Sequence, residues 1–343
     1  MKKGKYFVSI LMIAGLLIVL SFTTSARAAE YDLVLYWMLG KETLQYRGLT
    51  MFMDGVEKRT NGRVKFKRYC CKTLGADLES IEARRMGSID FRCAGVGIYA
   101  RYHRPIDMIV LPYLFRDYDH VYKFVTSPLW YEITKGLEKS NIKPITNFNA
   151  GFRDITNNKR PINTVEDVKG LKIRVPKISS WVTTWKAFGA SPVAMKWPEV
   201  YMALKTGVID AQENGPNNSK DAKFYEVQKY FSYINYAWLG PLLSMNLDKW
   251  NSLPKDIQDI IMEEAKKGAK WTFDMGKKMN DDALKFIESK GMTVNWNPDK
   301  ESFRKAAEKA YEEFRKQPWY DQALIDKINS GMARVVVTEL IIK

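Results

Sequence analysis

The sequence predicts an α/β protein of two lobes with a cleft between them. Three observations point there: a strand–helix rhythm through residues 31–94, a second run of the same kind from about residue 145, and a long helical pattern beyond Pro254. The 343 residues are enough for two domains of about 150 each. An apolar fraction of 46% with 13% aromatics supplies cores for both and excludes a disordered chain.

Residues 1–28 read as an export signal. Lys2, Lys3 and Lys5 form a basic start, and residues 7–20 are uncharged and mostly apolar. That run is shorter than the roughly 20 residues a membrane-spanning helix needs. Ala26-Arg27-Ala28 offers a small-x-small cleavage site, and cleavage is expected after Ala28. Cys70 is the first cysteine, so no lipid anchor is expected at the cleavage point. The mature chain is therefore expected to be free and soluble in an oxidising exported compartment, most simply a Gram-negative periplasm.

The mature chain starts with Tyr31-Asp32-Leu33-Val34-Leu35-Tyr36-Trp37, a strand. A helix follows over 44–59, Asn61-Gly62 turns the chain, and 63–69 alternates as a second strand. Residues 77–86 form a helix stopped by Gly87, and 89–94 a third strand. In the second unit, 145–148 and 171–175 are strands and 181–188 a helix. Pro198 opens the next helix, where its missing N–H costs nothing, and Gly207 closes it before a short strand at 208–211. Residues 255–290 hold no proline and only Gly268 and Gly276, so this helix either breaks near Gly276 or runs across both lobes. A last amphipathic helix, about 300–316, presents Phe303, Ala307, Ala310 and Phe314 on one face. The apolar tail, 331–343, has no assigned role.

The net charge of +15 invites a nucleic-acid reading. Residues 1–28 carry four of those units, and the remaining 50 basic and 39 acidic residues are spread over helical faces without a basic stripe. No nucleic-acid partner is expected. Among Cys70, Cys71 and Cys93, a Cys71–Cys93 bond is plausible if their strands are neighbours, and a bond between adjacent Cys70 and Cys71 is rarer. Without a nearby histidine or a Cys-x-x-Cys pair, no metal is expected.

Catalytic signatures are sparse. His103 and His120 are the only imidazoles, and neither a Gly-x-Ser-x-Gly elbow nor a His-Glu-x-x-His helix occurs. Gly95-Val96-Gly97-Ile98-Tyr99-Ala100 matches a Gly-x-Gly-x-x-Ala fingerprint. The following Tyr102-His103-Arg104-Pro105 cannot carry the helix that a dinucleotide needs, so no cofactor is expected. Glycines there suit a backbone that approaches a cleft. More informative is Gly170-Leu171-Lys172-Ile173-Arg174-Val175-Pro176, which puts Arg174 at the carboxyl end of a strand. Such ends face the ligand crevice in open α/β sheets, and a guanidinium grips a carboxylate through two parallel hydrogen bonds. A surface or structural ion pair is the alternative for Arg174 taken alone.

Several fragments then fall in a familiar order. They include Leu74-Gly75, Met86-Gly87-Ser88-Ile89-Asp90, Leu111-Pro112-Tyr113-Leu114-Phe115 and Gly151-Phe152-Arg153. After the Arg174 segment come Gly189-Ala190-Ser191-Pro192, Asp210-Ala211-Gln212-Glu213-Asn214 and Leu253-Pro254-Lys255-Asp256. In this order the chain resembles the periplasmic solute receptors of TRAP transporters, the DctP-type binding proteins, from the signal to about residue 320.

The resemblance implies a two-lobed periplasmic binding protein of type II-like fold, with a ligand cleft and a long hinge-spanning helix. It implies lobe I from 29–150 plus about 239–279, and lobe II from 151–238 plus about 280–330. Arg174 is implied to salt-bridge a ligand carboxylate, Arg153 to be a second anion contact and Asn214 a ligand-contacting amide. Trp197 falls where the family often has phenylalanine, and Tyr236 and Trp238 lie at the hinge crossing. The sequence departs from the family pattern at Asn214-Gly215-Pro216, at the bulky Lys177-Ile178-Ser179-Ser180-Trp181 and at Cys70-Cys71. With Gly95 in the crevice wall and Lys177 as a further cation, the aromatic set Trp37, Trp181, Trp197, Tyr236 and Trp238 suits a mono- or dianionic organic acid with an apolar or planar body. These aromatics equally suit lobe cores, and a sulfonate equally suits the arginines. The expected partners are that small acid and the small and large membrane permease subunits, with the receptor a monomer and not an enzyme. Two other readings stay open: a secreted enzyme using the same cleft with Asp or Glu chemistry, and a family receptor that feeds a sensor kinase.

Overall fold

The computed structural model describes residues 29–330; the segment expected to be an export signal, 1–28, and the tail, 331–343, lie outside the described residues. Two sheets organise the chain. The first is built from β1 (Tyr31–Trp37), β2 (Val64–Tyr69), β3 (Phe91–Gly95), β4 (Ile142–Asn147) and β10 (Pro241–Asn246), in the order β2-β1-β3-β10-β4. β1 pairs in parallel with β2 and β3, and β10 runs antiparallel between β3 and β4. The parallel part arises because α1 (Leu44–Arg59) and α2 (Asp77–Arg85) are the crossovers between β1, β2 and β3.

The second sheet holds β5 (Phe152–Asn157), β6 (Lys172–Val175), β7 (Ser191–Ala194), β8 (Ala211–Asn214), β9 (Tyr230–Trp238) and β11 (Thr293–Asn295), in the order β11-β9-β5-β8-β6-β7. β4 passes into β5 through residues 148–151, and β9 into β10 through Leu239 and Gly240. These two strand-to-strand crossings make a hinge, and the chain changes sheets a third time before β11.

The remaining helices are α3 (Tyr118–Val125), α4 (Pro128–Thr134), α5 (Ser179–Ala187), α6 (Val200–Lys205), α7 (Pro216–Asp221), α8 (Leu247–Ser252), α9 (Lys255–Ser289), α10 (Lys300–Phe314) and α11 (Gln322–Asn329). α9 runs unbroken for 35 residues, about 52 Å at 1.5 Å per residue. It packs on α1, β4, α7 and β11, so it serves both sheets. Gly276 does not break it: a Cβ there would lie 2.3 Å from Asn149 Nδ2, and the glycine lets the hinge segment approach the helix. Asn149 in turn donates its backbone N–H to Thr272 Oγ1 of α9, at 2.8 Å.

Hydrogen bonds also link the two sheet-bearing segments. Trp181 Nε1 donates to the Val110 carbonyl at 2.8 Å and Ser180 Oγ to Asp107 Oδ1 at 3.1 Å. The Leu44 and Gly40 N–H groups donate to Asn217 Oδ1 and Asp221 Oδ2. Among the described residues no helix is long and apolar enough to cross a membrane.

Several expectations shift. The third strand starts later, at Phe91, and the strand expected at 208–211 lies at Ala211–Asn214, because Gly207 to Asp210 make the turn that precedes it. The strands β5, β9 and β10 escaped the period-two pattern because both their faces are largely buried. The cysteine pairing is also corrected. Cys70 and Cys71 are bonded to each other, and Cys93 is free and buried. Cys71 lies just beyond β2 and Cys93 in β3, which flank β1 on opposite sides, about 9.6 Å apart at the usual strand spacing and beyond a disulfide's reach. The Gly-x-Gly-x-x-Ala segment enters a 3-10 turn at Val96–Arg101 and not the α-helix that a pyrophosphate requires.

Candidate ligand cleft

The cleft opens where the carboxyl ends of β1, β3, β6 and β8 meet the hinge. Trp37 ends β1 and Met38 and Leu39 follow it, Asp77 starts α2, and Arg92, Ala94, Gly95 and Ile98 come from β3 and the turn after it. The second sheet contributes Arg153, Arg174, Pro176, Trp197, Asn214 and Asn218, and the hinge adds Ala150, Leu239 and Pro241. A Cβ on Gly95 would come within 2.9 Å of the Leu239 side chain, which would have to shift to admit it.

Arg153 belongs to β5, whose antiparallel pairing places Ile155 opposite Glu213 and Asp154 opposite Asn214. That register brings the Arg153 guanidinium onto the β8 carboxylate. Its Nε donates to Glu213 Oε2 at 2.8 Å and its Nη2 to Glu213 Oε1 at 2.9 Å and to the Glu213 carbonyl at 2.8 Å. Nη1 donates to Asn214 Oδ1 at 2.7 Å. Four of its five N–H groups are thus occupied by the protein. Burial alone would lower its pKa, but the charge and hydrogen bonds of Glu213 outweigh burial and raise it. The guanidinium also lies over the Trp181 ring at 5.1 Å.

Arg174 differs. Its Nε and Nη2 donate to the Met195 carbonyl at 3.0 and 2.8 Å, and the Trp197 ring lies 5.6 Å from its guanidinium. Among the described residues no carboxylate is within ion-pair distance, and both Nη1 hydrogens lack a partner. Burial lowers its pKa to about 10, against the opposing field of Glu213 and Asp77, so it stays charged at neutral pH. A third arginine, Arg92, is fully buried and spent: Nη2 meets Asp77 Oδ1 at 2.8 Å, Nε donates to Ser80 Oγ at 2.8 Å, and the guanidinium lies over Tyr36. Burial raises the pKa of Asp77, opposed by Arg92 and Arg174. Three guanidiniums and two carboxylates leave one net positive charge, and Arg174 carries it.

The ten residues singled out from sequence divide cleanly. Arg174, Arg153, Asn214, Trp197, Trp37 and Gly95 line the cleft together. Lys177 is exposed and lines an adjoining space that shares Arg174, Pro176 and Trp197 with it. Trp181, Tyr236 and Trp238 lie beneath the wall, not on it. Tyr236 donates its hydroxyl to Glu213 Oε2 at 2.8 Å and packs against Trp181 and Trp185. Trp238 Nε1 donates to Asn149 Oδ1 at 3.2 Å. Sequence reasoning missed Arg92, Asp77 and Asn218, and it missed that Glu213 neutralises Arg153. Only the strand register reveals that pairing, although the Asp210 to Asn214 motif marked the place.

A two-lobed α/β frame with one arginine-bearing cleft at its hinge defines a solute-binding protein. The chain belongs to the bacterial extracellular solute-binding proteins of family 7, the DctP family, whose model matches residues 37–317. It is 31% identical over 299 residues to the 2,3-diketo-L-gulonate-binding periplasmic protein YiaO of Escherichia coli, covering 86% of this chain and 89% of that one. It is 30% identical over 302 residues to the sialic acid-binding periplasmic protein SiaP of Vibrio cholerae, covering 87% and 94%. A crystal structure of a TRAP periplasmic solute-binding protein from Polaromonas sp. JS666, bound to D-erythronate, matches with a TM-score of 0.85 at 28% identity, covering 89% of this chain and 100% of that one. The family is one of ligand-binding receptors and not of enzymes.

Proposed function

We propose that this chain is the extracytoplasmic receptor of a TRAP transporter, and that it binds a small organic acid between its lobes and delivers it to the membrane permease. The observation that carries the reading is Arg174, the cleft cation with no carboxylate partner among the described residues and with two Nη1 donors in reserve. A ligand carboxylate supplies the missing countercharge through two parallel hydrogen bonds. Asn214 assists: its Oδ1 is held by Arg153, so its Nδ2 is the group left to donate. The relatives named above bind 2,3-diketo-L-gulonate, sialic acid and D-erythronate, all acids. One net charge in the cleft favours a monoanion, with Lys177 at the rim as the group that a second charge would meet. A sulfonate satisfies the same donors.

In this reading ligand enters the open cleft and Arg174 fixes its anionic end. The lobes then close about the two crossings and exclude water, which strengthens the ion pair. Lobe I comprises 29–150 and about 239–279, and lobe II 151–238 and about 280–330. The leader is removed after Ala28 and the mature protein works in the periplasm. The test is a thermal-shift panel of carboxylates and sulfonates on the wild type and on Arg174→Ala. An acid that raises the melting temperature of the wild type and not of the variant supports the reading; an equal rise in both contradicts it.

A further inference from the structure

Among the described residues, several buried side-chain polar atoms have no hydrogen-bond partner, and one belongs to a residue of the cleft wall: Asn218 Oδ1. Asn218 stands on α7, immediately after β8, and is 5% exposed. Its amide orientation is fixed by its neighbours. Asn214 Oδ1 receives Arg153 Nη1 at 2.7 Å and the Gly215 N–H at 3.0 Å, and both of these groups can only donate. The Asn214 atom that faces them is therefore its oxygen. Asn218 approaches that same oxygen at 3.1 Å and must present its Nδ2 to it. Its Oδ1 is consequently an acceptor that the protein leaves unused. Across the cleft, Asp77 gives Oδ1 to Arg92, and no residue donates to its Oδ2 among the described residues.

The wall thus supplies free donors at Arg174 and unused acceptors at Asn218 and Asp77. Asn218 Oδ1 is already shut off from solvent, so a ligand without a donor leaves it at the full cost of an unmade buried hydrogen bond, and a ligand hydroxyl that reaches it removes that cost. We infer that Asn218 is a specificity-determining residue, and that it selects hydroxy acids over their deoxy analogues by accepting a hydrogen bond from a ligand hydroxyl. This rests on the organic-acid reading above and narrows its ligand class.

The test is calorimetric titration of the mature chain with butanoate, its three monohydroxy derivatives as single enantiomers, and the trihydroxy acid erythronate. At least one hydroxy acid is expected to bind about 10- to 100-fold more tightly than butanoate. In Asn218→Ala that ratio collapses towards one, because butanoate no longer strands an acceptor and the hydroxy acid no longer gains one. A purely structural role for Asn218 weakens every acid alike and leaves the ratio unchanged, which overturns the inference. Equal binding of butanoate and all hydroxy acids by the wild type also overturns it, with the organic-acid reading intact. If Asn218→Ala does not fold, Asn218→Ser and the wild-type ratio carry the same test. Binding of none of these acids, nor of any other carboxylate or sulfonate, removes both readings together.

Discussion

Arg153 and Arg174 sit on strands of one sheet with only β8 between them, both are buried, both are stacked on a tryptophan, and both line one cleft. Their electrostatic states are opposite. Arg153 is held by the Glu213 carboxylate, the Glu213 carbonyl and Asn214, and Tyr236 completes the shell of Glu213. Arg174 has one backbone carbonyl and no countercharge within ion-pair distance among the described residues. A buried cation that the fold has already neutralised acts as scaffold, and one that the fold leaves open is a place for an external anion. Residue type alone does not separate the two; the partner does.

The comparison can be broken from either side. Arg153→Met leaves the Glu213 carboxylate buried with Tyr236 as its remaining side-chain partner, which is expected to cost about 3–5 kcal/mol of folding stability, measurable by urea denaturation. A cost as small as that of a surface substitution contradicts the scaffold role. Arg174→Met removes a charge without breaking an ion pair. It is expected to leave the ligand-free protein as stable as the wild type or more so, while weakening anion binding by about 2–5 kcal/mol. The pH dependence sharpens the contrast. Binding needs the protonated form of Arg174, whose pKa is lowered to about 10, so affinity is expected to hold through neutral pH and to fall as pH rises through about 10. Arg153, with its pKa raised, adds no loss in that range. The smallest effect is expected at the cleft rim. There Lys196 and Glu79 pair across the lobes while largely solvated, and Lys196→Ala should change the melting temperature of the liganded protein only slightly.

The β1 to β3 unit and the long α9 were legible in the sequence because each shows its period: alternation bounded by turn residues, or an unbroken helical run. The carboxyl end of β6 was legible for the same reason, and with it the position of Arg174. What stayed hidden depends on pairing across the chain. β5 and β10 are buried on both faces and show no alternation. The Arg153–Glu213 bond spans 60 residues and follows from strand register. The cysteine bond was misplaced because proximity depends on strand order, which places β1 between Cys71 and Cys93. The positions of Trp181, Tyr236 and Trp238 near the hinge are legible in the sequence, but the side of the wall that each one faces is not. The three side chains pack against Arg153, the Glu213 carboxylate and the Asn149 side chain of the hinge.

Native mass spectrometry of the purified mature protein and of Arg174→Met tests the central claim most directly. The account predicts that the wild type carries a small singly charged acid and that the folded variant has lost it. The same acid at the same occupancy on both proteins, or a neutral or cationic solute on the wild type, contradicts it.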